Sequence, residues 1–199
     1  DLMTRDSKES AIIKSPLRYP GGKAFLCGYV ERFLKHNRLR PIRFVEPFAG
    51  GASVSLNLLG KDLVDSISLY DKDPLVASFW NATFRDNPWL RRRVATTPIT
   101  LKQWDKEKTK PLNGARSNAW KCLFLNRTSF SGILAPDAGP LGGRAQGSVY
   151  KIDCRFYRET VHSRLGQLSQ LADRVTEIEA IDWSDTIDRI ESLPEELRN

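Results

Sequence analysis

Two histidines, three cysteines and one methionine in 199 residues leave little with which to hold a transition metal. His36 and His162 lie far apart, and Cys27, Cys122 and Cys154 form no short-spaced ligand cluster. That pattern argues against a zinc site, and an odd number of scattered thiols argues against a disulfide framework and for a reducing compartment. No run of 18 apolar residues exists, so no membrane-spanning helix is expected. The first residues, Asp-Leu-Met-Thr-Arg-Asp-Ser-Lys, have no apolar signal-peptide core, so a cytoplasmic protein with no membrane partner is expected. Gly21-Gly22-Lys23 suggests a phosphate loop, but Leu17 stands where the earlier glycine belongs and Ala24 where Ser or Thr belongs. Gly50-Gly51-Ala52 does not continue as Gly-x-Gly-x-x-Gly, which disfavours a dinucleotide-dependent oxidoreductase.

What the chain has is basic charge, unevenly spread. Residues 1–170 carry 28 basic and 15 acidic side chains, a balance of +13, whereas residues 171–199 carry 3 and 9, a balance of −6. A basic body suits a polyanion, because each phosphate contact releases counterions; a merely solvated basic surface is the alternative. At this length one core is expected, with room for an inserted lobe.

The chain is organised around residues 43–74. Phe44 and Val45 form a short apolar run, Gly50-Gly51 a tight turn, and Val54, Leu58 and Leu59 a helical spacing. A second strand follows and ends at Asp71, 21 residues after Gly50. A carboxylate at that distance can accept the two hydroxyls of a ribose, or be the solvated end of an ordinary β-α-β unit. Before this unit, Phe25, Leu26, Tyr29, Val30, Phe33 and Leu34 predict an amphipathic helix burying one face. After it, Pro74 to Phe84 reads as a helix broken at Asn87-Pro88-Trp89, and Arg91, Arg92 and Arg93 as a solvated surface. Lys102 to Lys110 reads as a polar helix or loop. Ala115 to Leu125 reads as a buried helix, with Ala119, Trp120, Leu123 and Phe124 inward. Four glycines within 139–148 predict a long loop. Tyr157, Val161, Leu165, Leu168 and Leu171 form a core stripe. Val175 to Ile181 predicts a strand, Asp182-Trp183-Ser184 a turn, and Thr186 to Leu193 a helix. The alternation argues for an α/β fold with a largely parallel sheet.

Four ordered blocks then match one family: residues 16–23 (Pro-Leu-Arg-Tyr-Pro-Gly-Gly-Lys), 44–51 (Phe-Val-Glu-Pro-Phe-Ala-Gly-Gly), 70–74 (Tyr-Asp-Lys-Asp-Pro) and 125–132 (Leu-Asn-Arg-Thr-Ser-Phe-Ser-Gly). Over about residues 15–190 the chain resembles the Dam-like, D12-class adenine-specific DNA methyltransferases. The resemblance implies a Rossmann-like methyltransferase sheet that binds S-adenosyl-L-methionine, acts on adenine N6 of double-stranded DNA, and serves DNA methylation of the restriction-modification kind. It implies a cofactor-binding core at 15–85 and 172–199, with a mostly helical DNA-recognition lobe inserted at 86–171. Carried over, Tyr19 and Lys23 belong to the N-terminal cofactor motif. Glu46, Pro47, Phe48, Ala49 and Gly50 form the turn along the methionine and ribose, and Asp71 holds the ribose diol. Asp182 and Trp183 flank the cofactor adenine, a match that a helix cap and a core aromatic would equally satisfy. Arg127 and Arg144 are the expected DNA contacts.

One block of that family is absent from the 199 residues. Its Asp-Pro-Pro-Tyr motif aims the adenine amine at the methyl donor, and no Pro-Pro pair occurs here; Asn87-Pro88-Trp89 has one proline and stands before the lobe. The chain, which starts at Asp1, is therefore expected to be the N-terminal part of such an enzyme. No catalytic residue is assigned, no methyl transfer is expected from it alone, and the motif is expected either on a companion C-terminal segment or in a continuation of this chain past Asn199. The alternative is a non-catalytic DNA-binding relative of the same fold.

Overall fold

The computed structural model describes residues 13–19 and 24–192. Three parallel strands, β1 (Arg43–Glu46), β2 (Ser66–Tyr70) and β3 (Val175–Glu179), lie in the order β1-β2-β3. Eight α-helices accompany them among the described residues: α1 (Ala24–His36), α2 (Ser53–Gly60), α3 (Pro74–Arg85), α4 (Asn87–Thr96), α5 (Leu101–Thr109), α6 (Ala115–Thr128), α7 (Arg158–Ser169) and α8 (Trp183–Glu191). The expected α/β class with a parallel sheet is what the chain forms, and no helix among the described residues is long and apolar enough to cross a membrane.

β2 is central, and Ile67, Ser68, Leu69 and Tyr70 are all buried, as in a parallel sheet covered on both faces. α3 starts where Asp73 accepts the Leu75 N–H at 2.8 Å and Pro74 occupies the first turn, where a missing N–H costs nothing. Its Val76, Phe79 and Trp80 are fully buried, and it packs along α6, which turns Ala119, Trp120, Leu123 and Phe124 inward as their spacing predicts. At the break after Arg85 the Asn87 side chain donates to Thr83 O at 2.7 Å and Leu165 O at 2.8 Å, which ties the junction to α7. Trp104, Trp120, Phe124, Phe156 and Leu165 belong to the same hydrophobic cluster as Leu56, Ile67 and Phe79, so the core runs without interruption from the sheet into the 86–171 helices.

Three expectations are corrected. α1 presents two apolar stripes one step apart round the helix. Leu26, Val30 and Leu34 pack inward, while Phe25, Tyr29 and Phe33 face solvent, because α2 covers only one arc. α8 begins at Trp183 rather than Thr186, since Asp182 caps it by accepting the Ser184 N–H at 3.2 Å. Of the arginine run only Arg92 is exposed; Arg93 lies 5.0 Å over the Trp120 ring and Arg91 Nη2 sits 3.4 Å from His162 Nδ1.

Candidate functional site

The site is built at the carboxyl ends of β1 and β2. After Glu46 the chain turns through Gly50, whose φ of +46° is the left-handed conformation that glycine adopts without penalty. Three groups hold this turn. The Gly50 N–H donates to Asp71 Oδ2 at 2.8 Å, Trp80 Nε1 donates to Gly50 O at 2.8 Å, and the Ala49 N–H donates to Tyr70 O at 2.8 Å. Asp71 thus spans the 21 residues between turn and strand end. Its other oxygen accepts the Asp73 N–H at 2.9 Å, so a carboxylate with about four lone-pair positions retains about two. Glu46 is buried and accepts from Ser55 N at 3.2 Å and Ser55 Oγ at 2.6 Å, which binds the strand end to the first turn of α2. Of the remaining turn residues, Ala49 is buried, Phe48 is exposed and Pro47 is intermediate.

The Tyr19 ring lies on the glycine turn: a Cβ at Gly50 would stand 3.1 Å from Tyr19 Cε1, and one at Gly51 3.6 Å from Tyr19 Cβ. Burial, with Cys122, Asp71 and Asp73 close by, pushes the Tyr19 hydroxyl above its ordinary range and keeps it a neutral donor. Burial and the neighbouring Asp71 likewise raise the Asp73 carboxyl, against the opposing pull of the Leu75 N–H. Lys23 lies outside the described residues.

The segment carrying Tyr19 is fixed from α6. Asn126 Oδ1 accepts the Arg18 N–H at 2.7 Å, and Asn126 Nδ2 donates to Arg18 O at 2.8 Å and to Gly132 O at 2.9 Å. Gly132 has φ +74°, and a Cβ there would stand 2.8 Å from Arg18 O, so the two segments meet backbone to backbone. Between them opens a cleft of about 790 Å³ lined by Tyr19, Asp73 and residues 131–136. Its volume is that of a small-molecule site.

Arg127, an expected DNA contact, is not on the surface. It is 5% exposed, its Nε donates to Pro16 O at 2.7 Å, Nη2 donates to the same oxygen and Nη1 donates to Arg155 O at 3.2 Å. Burial, reinforced by Arg164 and Arg18, lowers its pKa to about 10. It therefore fastens the Tyr19 segment from within. Arg144 is exposed, paired with Asp105 at 2.5 Å and lying 5.2 Å over the Trp104 ring.

Asp182 stands near the strand ends: its Oδ2 lies 3.1 Å from Lys72 Nζ, one residue beyond Asp71, while Oδ1 caps α8. Of the two readings of Asp182-Trp183, the cap is present, whereas Trp183 is half-exposed rather than core. The structure therefore brings together Tyr19, Gly50 and Asp71, sets Asp182 beside Lys72, and pairs Arg144 with Asp105 rather than with any of them. Sequence reasoning missed Trp80, Asp73 and Asn126; Asn126 stood inside a block already singled out, with nothing in that block to indicate its partners. Among the described residues no group of three or more His, Cys, Asp or Glu side chains could hold a metal.

A family model described as D12 class N6 adenine-specific DNA methyltransferase matches residues 19–137. Among curated proteins no relative matches the chain.

Proposed function

This chain belongs to the D12 class of N6 adenine-specific DNA methyltransferases, and from that premise we propose that it is the cofactor-binding and DNA-recognition portion of a site-specific enzyme that uses S-adenosyl-L-methionine. One arrangement carries the reading. An aromatic ring lies on a glycine turn, and a carboxylate from the next strand end holds that turn by its N–H. Ligands of open parallel sheets lie in this crevice beyond the strand ends, as in a Rossmann-like sheet. The residues fit the cofactor: Gly50 leaves no room for a side chain, Asp71 keeps acceptor positions free for two ribose hydroxyls, and Trp183 offers an open π-face to an adenine. When bound, the cofactor supplies an electrophilic methyl group on a sulfonium. Tyr19 closes the cleft over it, Glu46 and residues 47–49 shape the turn, and Asp182 receives the adenine amine. Double-stranded DNA meets residues 86–171, with Arg144 as a contact to phosphate or a guanine edge.

The carboxylate that would hold the adenine amine is not among these 199 residues, so on this reading they bind the cofactor without by themselves transferring a methyl group. The absence of a Pro-Pro pair also favours a second reading, a DNA-binding relative without the chemistry. Calorimetric titration with S-adenosyl-L-methionine separates the two. The first requires binding that Asp71→Ala weakens by at least about tenfold, the value of one or two charge-assisted hydrogen bonds. DNA binding with no cofactor binding establishes the second, and a preference for NAD overturns both.

A further inference from the structure

The glycine-rich stretch 139–148 is a loop, but one tied down at several points. The Leu141 N–H donates to Thr128 O at 2.8 Å and the Phe130 N–H to Gly139 O at 2.9 Å, which fastens its start to the end of α6. Gly142 has φ +75°, and a Cβ there would collide with Tyr150 O, so the two arms of the loop touch backbone to backbone. Gln146 closes the turn between them. Its Nε2 donates to Leu141 O at 2.7 Å and to Gly143 O at 2.6 Å, and its Oε1 accepts the Ile152 N–H at 2.8 Å. Those bonds hold Gln146 at φ +48°, a conformation uncommon outside glycine.

Arg144 stands inside this frame, and α5 fixes its side chain as well. Nη1 donates to Asp105 Oδ1 at 2.5 Å, and the guanidinium lies 5.2 Å over the ring of Trp104. Trp104 is itself anchored, being buried and donating from Nε1 to Ser129 Oγ at 3.1 Å. One turn further along α5, Lys108 Nζ donates to Ala135 O at 2.6 Å and holds the other arm of the same segment. Among the described residues Nε and Nη2 of Arg144 meet no acceptor, so one edge of the guanidinium, with two parallel N–H donors, is left free.

We propose that this free edge reads a guanine in the major groove, and that Asp105 and Trp104 are the positioning residues that aim it; the recognition sequence then contains a G·C pair whose reading is set from α5. The pair does little for stability, since its side chains are 66% and 46% exposed. Its effect is on direction and charge. A phosphate contact needs positive charge and tolerates a mobile side chain, and a carboxylate beside the arginine offsets that charge and repels the phosphate. Guanine instead presents two acceptors, O6 and N7, at a fixed spacing, and rewards a planar fork whose direction is set in advance. A rigid turn, an aromatic platform and a carboxylate on the opposite nitrogen supply that direction. This inference rests on the reading of residues 86–171 as the DNA-recognition part.

Selection of duplexes from a random pool by the full chain, with sequencing of what is retained, tests it. The parent should select a sequence with a required G·C pair. Arg144→Ala should lower the preference for that pair at least about tenfold, and Asp105→Ala about threefold or more, with the preferences at other positions and the circular dichroism spectrum unchanged. A loss on Arg144→Ala that is equal for all sequences, with the salt dependence of binding reduced by about one phosphate contact, would make Arg144 a backbone contact and overturn the proposal. So would Asp105→Ala tightening every sequence alike, the mark of a carboxylate that merely holds Arg144 off DNA. Selective binding that neither substitution alters overturns this inference alone, whereas a parent chain that binds no DNA overturns the recognition reading with it.

Discussion

Replacing Gly50 with alanine isolates what the turn requires. Its φ of +46° is a left-handed conformation, which costs a residue bearing a Cβ about 1–2 kcal/mol. The added methyl would also stand 3.1 Å from Tyr19 Cε1 and 3.3 Å from Tyr19 Cζ, so the ring must give by a few tenths of an ångström. Backbone on the other side resists any shift of the turn, because the Gly50 carbonyl is held by Trp80 and its N–H by Asp71. The expected destabilisation is about 1–3 kcal/mol, which for a chain of this size lowers Tm by roughly 3–10 °C. Gly51→Ala is the internal control: no left-handed φ applies there, and its nearest neighbour at 3.6 Å is in ordinary van der Waals contact. Thermal unfolding of the two variants should therefore separate them clearly. Titration with S-adenosyl-L-methionine should show the larger loss for Gly50→Ala, since it alone displaces the Tyr19 ring that we propose packs on the cofactor. Equal Tm values for the two variants, or a Gly50→Ala variant as stable as the parent, would show that the turn is not constrained as described.

Two further predictions concern charged side chains. Arg127→Met should cost about 2–4 kcal/mol in urea unfolding, because it strips donors from the buried Pro16 and Arg155 carbonyls; Arg144→Ala should leave stability unchanged and weaken DNA binding in a filter or anisotropy assay. Stability losses of equal size would refute the assignment of one to the interior and the other to the surface. Burial raises the Asp73 carboxyl, so the folded state favours its neutral form. The stability this confers is present below the ordinary carboxyl pKa of about 3.9 and is lost as pH rises through the higher folded value. Asp73→Asn, which still caps α3, should accordingly gain on the parent across that window and hold its gain at neutral pH; a difference independent of pH would refute it.

The elements that were legible in the sequence are those whose signal is local. Pro74 after Asp73 starts α3, and the inward positions of α6 and, apart from Tyr157, which is exposed at the N-cap, of α7 follow their helical spacing, because period and capping are properties of a few adjacent residues. The spacing of Gly50 and Asp71 was legible for a related reason: a β-α-β unit fixes how far along the chain the next strand end must lie, and the hydrogen bond between them closes that unit. α1 shows where such signals stop. Its apolar residues form an arc wide enough for two partners, and periodicity measures the width of that arc without stating how much of it a neighbour covers.

Arginine 127 is the sharper case. An arginine in a basic stretch, beside a glycine-rich loop, has by composition alone every reason to face a polyanion. What decides its fate is the carbonyl of Pro16, 111 residues away, in a segment with no regular structure to satisfy its own backbone. Asn126 is placed by the same need, with both its partners on Arg18 lying 108 residues distant. An irregular segment that must carry Tyr19 onto the glycine turn leaves buried acceptors along its length, and only side chains from a neighbouring helix can supply them. The demand belongs to one part of the chain and the supply to another, so neither is visible where it is met. The residues that hold the site in place were therefore the ones sequence reasoning either passed over or assigned to the surface.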